Sequence, residues 1–269
     1  MIDLQEICKN VCVAARSAGQ LMLDERKNFS LDKVEHKGVH DYVSYVDRKA
    51  EELIIKHLSP LIPSAGFITE EATTEQSKAE YTWVIDPLDG TTNYIHGLSP
   101  YSVSIALLKD EQAIVGVVYI PTSDECFHAV KDGKARLNDM EIKPSTRTKV
   151  KESLLITGFP YKVGDKIEAY LEMMRYLTFN SHGVRRLGSA AADLVYVACG
   201  RAEVFYQTDL KPWDVAAGAF IAMRAGAAAS DFRGGNDFMS GRSILVSGTS
   251  ELNEEMLGLV RKFFEKHID

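Results

Sequence analysis

The sequence predicts a mixed α/β (α+β) fold whose two parts differ in the order of their elements. In residues 1–145, two amphipathic helices precede short strands with short connections, which is typical of an antiparallel meander. In residues 146–269, strand and helix candidates alternate, which favours an α/β arrangement. An apolar content of 45% and a charged content of 26% over 269 residues fit one large globular domain made of two subdomains.

The elements of the first part follow from the spacing of their apolar residues. Residues 3–26 repeat apolar positions at helical spacing, and residues 44–58 do so again before a Ser-Pro pair ends the helix. The polar segment 33–43 between them contains one glycine and predicts a loop or a short hairpin. Apolar, β-favouring runs then predict strands at 66–68, 83–85, 102–108, 113–120 and 125–130.

The second part begins after a polar segment, 143–151, that can join the two parts. Strands are expected at 153–157, 184–187, 203–207, 228–232 and 243–247. Helices are expected at 166–177, 190–198, 213–225 and 252–266.

Charge and cysteine content bear on the class of protein. The net charge is −7 and no long basic run is present, which argues against binding to nucleic acid or to an anionic membrane. The first ten residues carry charges and lack an apolar core, so we expect no secretory signal, no membrane span and a reduced, cytoplasmic setting. Cys8 and Cys12 share one face of the first helix; we interpret them as buried small side chains, with a metal or redox pair as the alternative.

The segment 83–93, WVIDPLDGTTN, carries the strongest functional signal. Its proline cannot extend a central strand and its Asp-Gly pair marks a turn, so we expect Asp86 and Asp89 where a strand stops. Thr91 or Thr92 is expected to cap a following helix, whose free N–H groups attract an anion. Carboxylates for a hard cation beside free amides for a phosphate predict a metal-assisted phosphate site, with an acidic turn as the alternative.

Two further acidic segments have the same character, although each alone fits a solvated or helix-start carboxylate. Glu70 ends a short strand, and Asp214 opens an apolar helix within the WDVAAG segment, 213–218. Together with WVIDPLDGTTN and the segment 41–47, in this order and spacing, they resemble the inositol monophosphatase family over nearly the whole chain. The resemblance implies a layered αβαβα sandwich, a homodimer, and Mg²⁺-dependent hydrolysis of phosphate monoesters.

The resemblance also implies a set of metal ligands. Glu70, Asp86 and the backbone carbonyl of Leu88 would hold a first Mg²⁺, and Asp86, Asp89 and Asp214 a second. A third, weaker ion would touch Glu70, so two or three ions would occupy each site. Li⁺ and Ca²⁺ would act as inhibitors. Oxygen ligands and retained waters suit Mg²⁺, which dehydrates reluctantly.

Further residues match the family's catalytic and substrate positions. The resemblance implies that Thr91, paired with Asp47, orients and deprotonates the attacking water, while the amides of Gly90 and Thr91 cradle the phosphate. A sugar-alcohol substrate would meet Ala190 and Gln207. The full set of implied substrate contacts is Asp89, Gly90, Thr91, Thr92, Ala190, Gln207 and Asp214.

The chain departs from the family at two places. Lys37 matches a mobile lysine-bearing loop, but His36, Val39 and His40 replace the usual small and proline residues; we interpret both histidines as solvated rather than zinc-binding. Gln207 stands where inositol-specific members usually carry a glutamate. An uncharged acceptor binds hydroxyl groups about half as strongly as a charged one, which predicts weaker selectivity for inositol phosphates.

Inositol monophosphate is therefore the first expected substrate. The alternatives within the same chemistry are NADP(H), fructose 1,6-bisphosphate and 3′-phosphoadenosine nucleotides, for which Arg185, Arg186 or Lys211 would contact a second phosphate or merely be surface charges. An alternative of another class is a non-catalytic metal-binding scaffold, which would have no need of the Thr91–Asp47 pair. No GxxxxGK[ST] or GxGxxG segment is present, which argues against a nucleotide-binding ATPase.

Overall fold

In the computed structural model, which describes residues 2–27, 34–38, 41–160, 166–240 and 243–264, helices and strands form alternating layers. The helices are α1 (Leu4–Arg26), α2 (Tyr45–Leu58), α3 (Thr91–His96), α4 (Lys166–Asn180), α5 (Ala190–Ala198), α6 (Pro212–Ala225) and α7 (Ser250–Phe264). Within these described ranges, no helix is both long and apolar enough to span a membrane.

The strands agree in order with the expected ones. They are β1 (Val34–Gly38), β2 (Asp41–Ser44), β3 (Gly66–Thr69), β4 (Tyr81–Asp89), β5 (Ser102–Lys109), β6 (Gln112–Ile120), β7 (Glu125–Val130), β8 (Arg136–Leu137), β9 (Met140–Glu141), β10 (Leu154–Thr157), β11 (Gly183–Arg185), β12 (Val204–Thr208), β13 (Ala228–Ser230) and β14 (Ser243–Ser247). The short two-residue strands β8 and β9 were not expected from the sequence.

The first large sheet runs in the order β3-β4-β5-β6-β7-β8-β9. Strand β3 is parallel to β4, and the following strands are antiparallel, so the expected meander is confirmed. Successive side chains of a strand point to opposite faces. Trp83 and Ile85 of β4 accordingly pack with α1 and α2, whereas Val84 packs on the other face with α5 and α6.

The second large sheet runs in the order β11-β10-β12-β14-β13. Phe205 of β12 faces α5 and α6, whereas its neighbours Val204 and Tyr206 face α4 and α7. The layers are therefore α1 and α2, the first sheet, α5 and α6, the second sheet, and α4 and α7. The expected layered αβαβα sandwich is confirmed, while the division into subdomains at residue 145 stays a prediction.

Strand β4 continues beyond the point where the sequence predicts its end. It runs through Pro87 to Asp89, and its pairing with β5 shifts between Asp86 and Asp89, which lie opposite Ser104 and Ser102. This is a β-bulge, a place where proline is tolerated because the ladder of N–H donors is already interrupted. Asp89 lies where the strand stops, as predicted, whereas Asp86 lies three residues before its end.

The segment before α2 forms a hairpin of β1 and β2. The backbone of Lys37 and His36 belongs to β1, whereas His40 lies outside the described residues. The side chains of residues 34–38 and 41–44 also lie outside the described part of the structure. The role of the Lys37 loop therefore stays a prediction.

Candidate active site

Three carboxylates from two parts of the chain meet above the end of β4. Asp86 and Asp89 lie at the bulge of β4, and Asp214 lies in the first turn of α6, which packs on β4 and β5. Each offers one carboxylate oxygen to a group whose members all lie within 4.8 Å of one another. Ser104 of β5 donates a hydrogen bond of 3.0 Å to the Trp213 carbonyl, which fixes the start of α6 over the sheet.

Three backbone amides and one hydroxyl group hold these carboxylates in place. Asp86 Oδ1 accepts a hydrogen bond of 3.0 Å from the Leu88 amide, within the bulge. Asp89 Oδ2 accepts bonds of 2.6 Å from the Ser189 hydroxyl and 2.7 Å from the Ala191 amide at the start of α5. Asp214 Oδ2 accepts a bond of 2.6 Å from the amide of Lys211. These bonds orient the three carboxylates.

Glu70 joins the group from the neighbouring strand. It follows β3, and its amide donates a hydrogen bond of 3.2 Å to the Ile85 carbonyl of β4. Its carboxyl group lies close enough to that of Asp86 for each to affect the pKa of the other. Asp47, in the first turn of α2, and Glu71 also lie close enough to affect its charge.

Burial and mutual repulsion make this cluster favour protons or cations. Burial, followed by the charge of Asp214, raises the pKa of Glu70, and burial with the charges of Glu70 and Asp89 raises the pKa of Asp86. Burial and the charge of Asp89 raise the pKa of Asp214 to about 7. Burial also raises the pKa of Asp89, against the opposing effect of its Ser189 hydrogen bond. A group of partly buried oxygens that resists carrying its own negative charge is suited to a hard divalent cation.

Thr91 and Asp47 form a second functional group beside the cluster. The Thr91 hydroxyl lies 3.2 Å from Asp47 Oδ1 and 3.0 Å from the Leu88 carbonyl, so its single proton can be donated to either oxygen. Asp47 is 1% exposed. The predicted catalytic pair is thus in hydrogen-bond contact, although its members are 44 residues apart in the chain.

The prediction that Thr91 or Thr92 caps the following helix was wrong. Gly90 is the N-cap of α3, at φ 91° and without a side-chain cap. Only glycine adopts this conformation at little cost, and a Cβ here would also lie 3.0 Å from the Gly188 carbonyl. The backbone turn therefore frees the Thr91 hydroxyl for Asp47, while Thr92 is exposed.

Ala190 and Gln207, the residues predicted to contact a sugar alcohol, differ in their relation to the carboxylate cluster. Ala190 begins α5, next to the amide that binds Asp89, and is therefore adjacent to the carboxylate cluster. Gln207 is buried near the end of β12, and its carboxamide packs so closely on Gly158 that a Cβ there would overlap it. The described contacts of Gln207 do not join it directly to the three aspartates.

The cationic candidates for a second phosphate also differ from one another. Arg186 is exposed and close enough to oppose the rise in pKa of Asp89, and its guanidinium lies 5.7 Å from the centre of the Phe159 ring. Arg185 instead donates to the Val184 carbonyl. Lys211 is exposed at the start of α6. Arg186 is thus the better placed of the two arginines for an anionic substrate.

The sequence interpretation missed Glu51 and Asp193. Glu51 is fully buried on α2, one turn after Asp47, and accepts hydrogen bonds of 2.7–2.9 Å from Thr69, Glu71 and Thr73 around Glu70. The sequence could have indicated this positioning role, because Glu51 is a charged residue within the apolar face of α2. Asp193 is buried on α5, and its Oδ1 has no hydrogen-bond partner among the described residues. Burial and the nearby charge of Asp89 raise its pKa well above the usual value.

The comparisons with known proteins agree with this geometry. A profile of the inositol monophosphatase family matches residues 3–264. The inositol-1-monophosphatase of Mesorhizobium japonicum is 38% identical over 255 residues, which cover 94% of this chain and 96% of the relative. The Nus factor SuhB of Pseudomonas aeruginosa is 39% identical over 253 residues, 92% of this chain and 93% of the relative.

Solved structures show the same similarity. The extragenic suppressor protein suhB from Bartonella henselae superimposes with a TM-score of 0.86 at 36% identity, over 94% of this chain and 98% of the other. The IMPase of Thermotoga maritima gives a TM-score of 0.86 at 27% identity, over 95% of this chain and 96% of the other.

Proposed function

We propose a reaction and a substrate from one premise: the chain belongs to the inositol monophosphatase family, a family of metal-dependent phosphatases. The proposal is Mg²⁺-dependent hydrolysis of a phosphate monoester, with inositol monophosphate as the first substrate. The observation that carries it is the meeting of Asp86, Asp89 and Asp214 within 4.8 Å, beside the hydrogen-bonded Thr91 and Asp47.

The donor set fits Mg²⁺. Every proposed ligand offers oxygen: the carboxylates of Glu70, Asp86, Asp89 and Asp214, and the carbonyl of Leu88. Mg²⁺ binds oxygen through few carboxylates and keeps several waters, which a partly buried cluster permits. When bound, the ions supply positive charge that neutralises the phosphate oxygens and acidifies the attacking water. Two or three ions for each site, and inhibition by Li⁺ and Ca²⁺, are parts of the same proposal.

In this proposal, Thr91 and Asp47 remove the proton of the attacking water. When the Thr91 hydroxyl donates to Asp47, its oxygen lone pairs are left to accept a hydrogen bond from water. The water's proton then passes to the Thr91 oxygen as the hydroxyl proton moves to Asp47, which general base catalysis requires. The amides of Gly90 and Thr91 orient the phosphate in this proposal.

Gln207 and Arg186 favour a substrate range wider than inositol phosphates. Gln207 accepts hydroxyl hydrogen bonds without a charge, so it binds a polyol less strongly than a glutamate would. Arg186 adds a cation near Asp89 that a second phosphate can use. NADP(H), fructose 1,6-bisphosphate and 3′-phosphoadenosine nucleotides are therefore the alternative substrates, bound near Asp89, Ala190 and Asp214.

The test is phosphate release from a panel of substrates. Inositol 1-phosphate, NADP, fructose 1,6-bisphosphate and 3′-phosphoadenosine 5′-phosphate are each incubated with Mg²⁺ and with EDTA. Release that requires Mg²⁺ supports the proposal, and the rank order of kcat/KM assigns the substrate. A strong preference for inositol 1-phosphate over the other three would contradict the proposed effect of Gln207.

A non-catalytic role is the second proposal, because the Pseudomonas aeruginosa relative is named a Nus factor. Absence of release from every substrate, with Mg²⁺ binding demonstrated by calorimetry, would favour it. The hydrogen-bonded Thr91–Asp47 pair argues against it, since binding a metal alone does not need a water-activating hydroxyl. A homodimer, which light scattering would detect, and a cytoplasmic setting are further proposals for the chain.

A further inference from the structure

Three cysteines and a histidine meet on the face of the first sheet that α1 covers, on elements separate from those of the carboxylate site. Cys8 and Cys12 lie one turn apart on α1, and Cys126 and His128 lie two residues apart on β7, so each pair shares one face of its element. Cys8 and Cys126 are buried, while Cys12 and His128 are half-buried and leave the group a route to solvent.

The distances within this thiol-imidazole cluster suit a tetrahedral ion. Cys8 Sγ lies 3.7 Å from His128 Nδ1, and one ligand atom each from Cys8, Cys12 and His128 lie within 4.8 Å of one another. Bonds of about 2.3 Å to sulfur and 2.0–2.1 Å to nitrogen place two ligands of zinc about 3.6–3.8 Å apart. Cys126 lies close enough to Cys12 for each thiol to affect the pKa of the other, and it supplies the third thiol and the fourth ligand.

His128 Nε2 forms the kind of hydrogen bond that orients histidine ligands in metal sites. Its Nε2 lies 3.0 Å from the Asn138 carbonyl, which can only accept, so Nε2 carries the proton and Nδ1 presents a lone pair to Cys8. Histidine ligands almost always donate their other N–H in this way. Asn138 is itself fixed, because its side-chain carbonyl accepts bonds of 3.1 Å from the Cys126 amide and 2.9 Å from Arg16.

We propose that Cys8, Cys12, Cys126 and His128 form a structural Zn²⁺ site that ties α1 to β7. Three thiols and an imidazole are soft to borderline ligands, which select zinc over the Mg²⁺ expected at the all-oxygen site. Arg16 places a positive charge nearby that offsets the excess negative charge of three thiolates. A disulfide between two of the cysteines would leave unexplained why His128 is oriented with Nδ1 towards a thiol.

The site is tested with the reduced, full-length protein in excess Mg²⁺, which keeps the carboxylate cluster filled. Zinc content is measured by mass spectrometry, and Co²⁺ is added to the zinc-free protein as a spectroscopic probe. We expect about one Zn²⁺ for each chain and a near-ultraviolet charge-transfer band of thiolate bound to Co²⁺, which an all-oxygen site cannot give. Neither readout depends on phosphatase activity, so failure of the hydrolase proposal would leave this test intact.

Variants identify the ligands. Cys12→Ser and His128→Gln are expected to weaken Zn²⁺ binding at least about tenfold. Cys199→Ser is the matched control and is expected to bind as the unmodified protein does, because Cys199 lies on α5's end and contacts the Tyr196 carbonyl instead. Circular dichroism checks that each variant is folded.

Three outcomes would overturn the proposal. The first is a reduced, unmodified protein that gives no thiolate band with Co²⁺. The second is a folded Cys12→Ser protein that keeps its Zn²⁺ affinity. The third is a disulfide among Cys8, Cys12 and Cys126 in protein isolated with its free thiols blocked, which would assign the cluster to redox chemistry.

Discussion

Replacing Asp89 by asparagine removes one negative charge from the carboxylate cluster while keeping the shape of the side chain. The asparagine carbonyl can still accept the Ser189 and Ala191 hydrogen bonds, which leaves the NH₂ group towards the other carboxylates. An NH₂ group is a donor and cannot coordinate a cation. The substitution therefore tests the proposed metal role of Asp89 with little change in its attachment to α5.

The size of the effect follows from the spacing of the cluster. Two full negative charges whose oxygens lie within 4.8 Å of each other repel by at least about 3.5 kcal/mol at an effective dielectric constant of about 20. Weakening the two hydrogen bonds to Asp89 costs about 1–3 kcal/mol, so relief of repulsion offsets it in the metal-free protein. A unit charge about 4 Å away would be worth about 4 kcal/mol, so loss of a ligand charge beside a divalent cation forfeits at least about 4 kcal/mol, or roughly 10³ in Kd.

The assay combines calorimetric titration with Mg²⁺ at pH 8 and thermal unfolding of the metal-free protein. We expect Mg²⁺ affinity and turnover to fall steeply while the Tm of the metal-free protein stays level or rises. Asp193→Asn is the matched control: burial and the charge of Asp89 raise the pKa of Asp193, which favours the neutral carboxyl that an amide mimics. Near-normal turnover of Asp89→Asn at limiting Mg²⁺, or equal loss of affinity in both variants, would refute the reasoning.

Three further predictions concern catalysis, pH and specificity. Thr91→Ala should lower kcat by about 10²–10⁴ with Mg²⁺ affinity little changed; equal loss of metal binding, measured by titration, would make the hydroxyl structural. Burial and repulsion raise the pKa values of Glu70, Asp86 and Asp214, the last to about 7. Above about pH 4 the folded metal-free chain therefore binds more protons than the unfolded chain. Its free energy of unfolding accordingly falls as the pH rises above about 4. The increase in Tm on adding Mg²⁺ should accordingly be larger at pH 8 than at pH 5, and an equal increase at both would contradict this. Gln207→Glu should raise the kcat/KM preference for inositol 1-phosphate over NADP by about tenfold, and an unchanged ratio would place Gln207 outside the substrate pocket.

Local patterns predicted much of the fold because they act over a few residues. The helical repeat of α1 and the short connections between β5, β6 and β7 identified those elements. An element that buries one face repeats its apolar residues at the spacing of that face. The bulge at Pro87 was not predicted, because only the pairing of β4 with β5 decides whether an interrupted ladder can continue through a proline.

The sequence by itself determined which chemistry is available: the acidic WVIDPLDGTTN segment, Asp214 and the four cysteines are all visible in it. Only the tertiary structure decided which of these groups meet. Layer packing brings Asp47 to Thr91 across 44 residues, and Cys8 to His128 across 120 residues. The physical reason is that side-chain convergence depends on how whole helices pack on sheets, a sum of many long-range contacts that no short segment of the chain specifies.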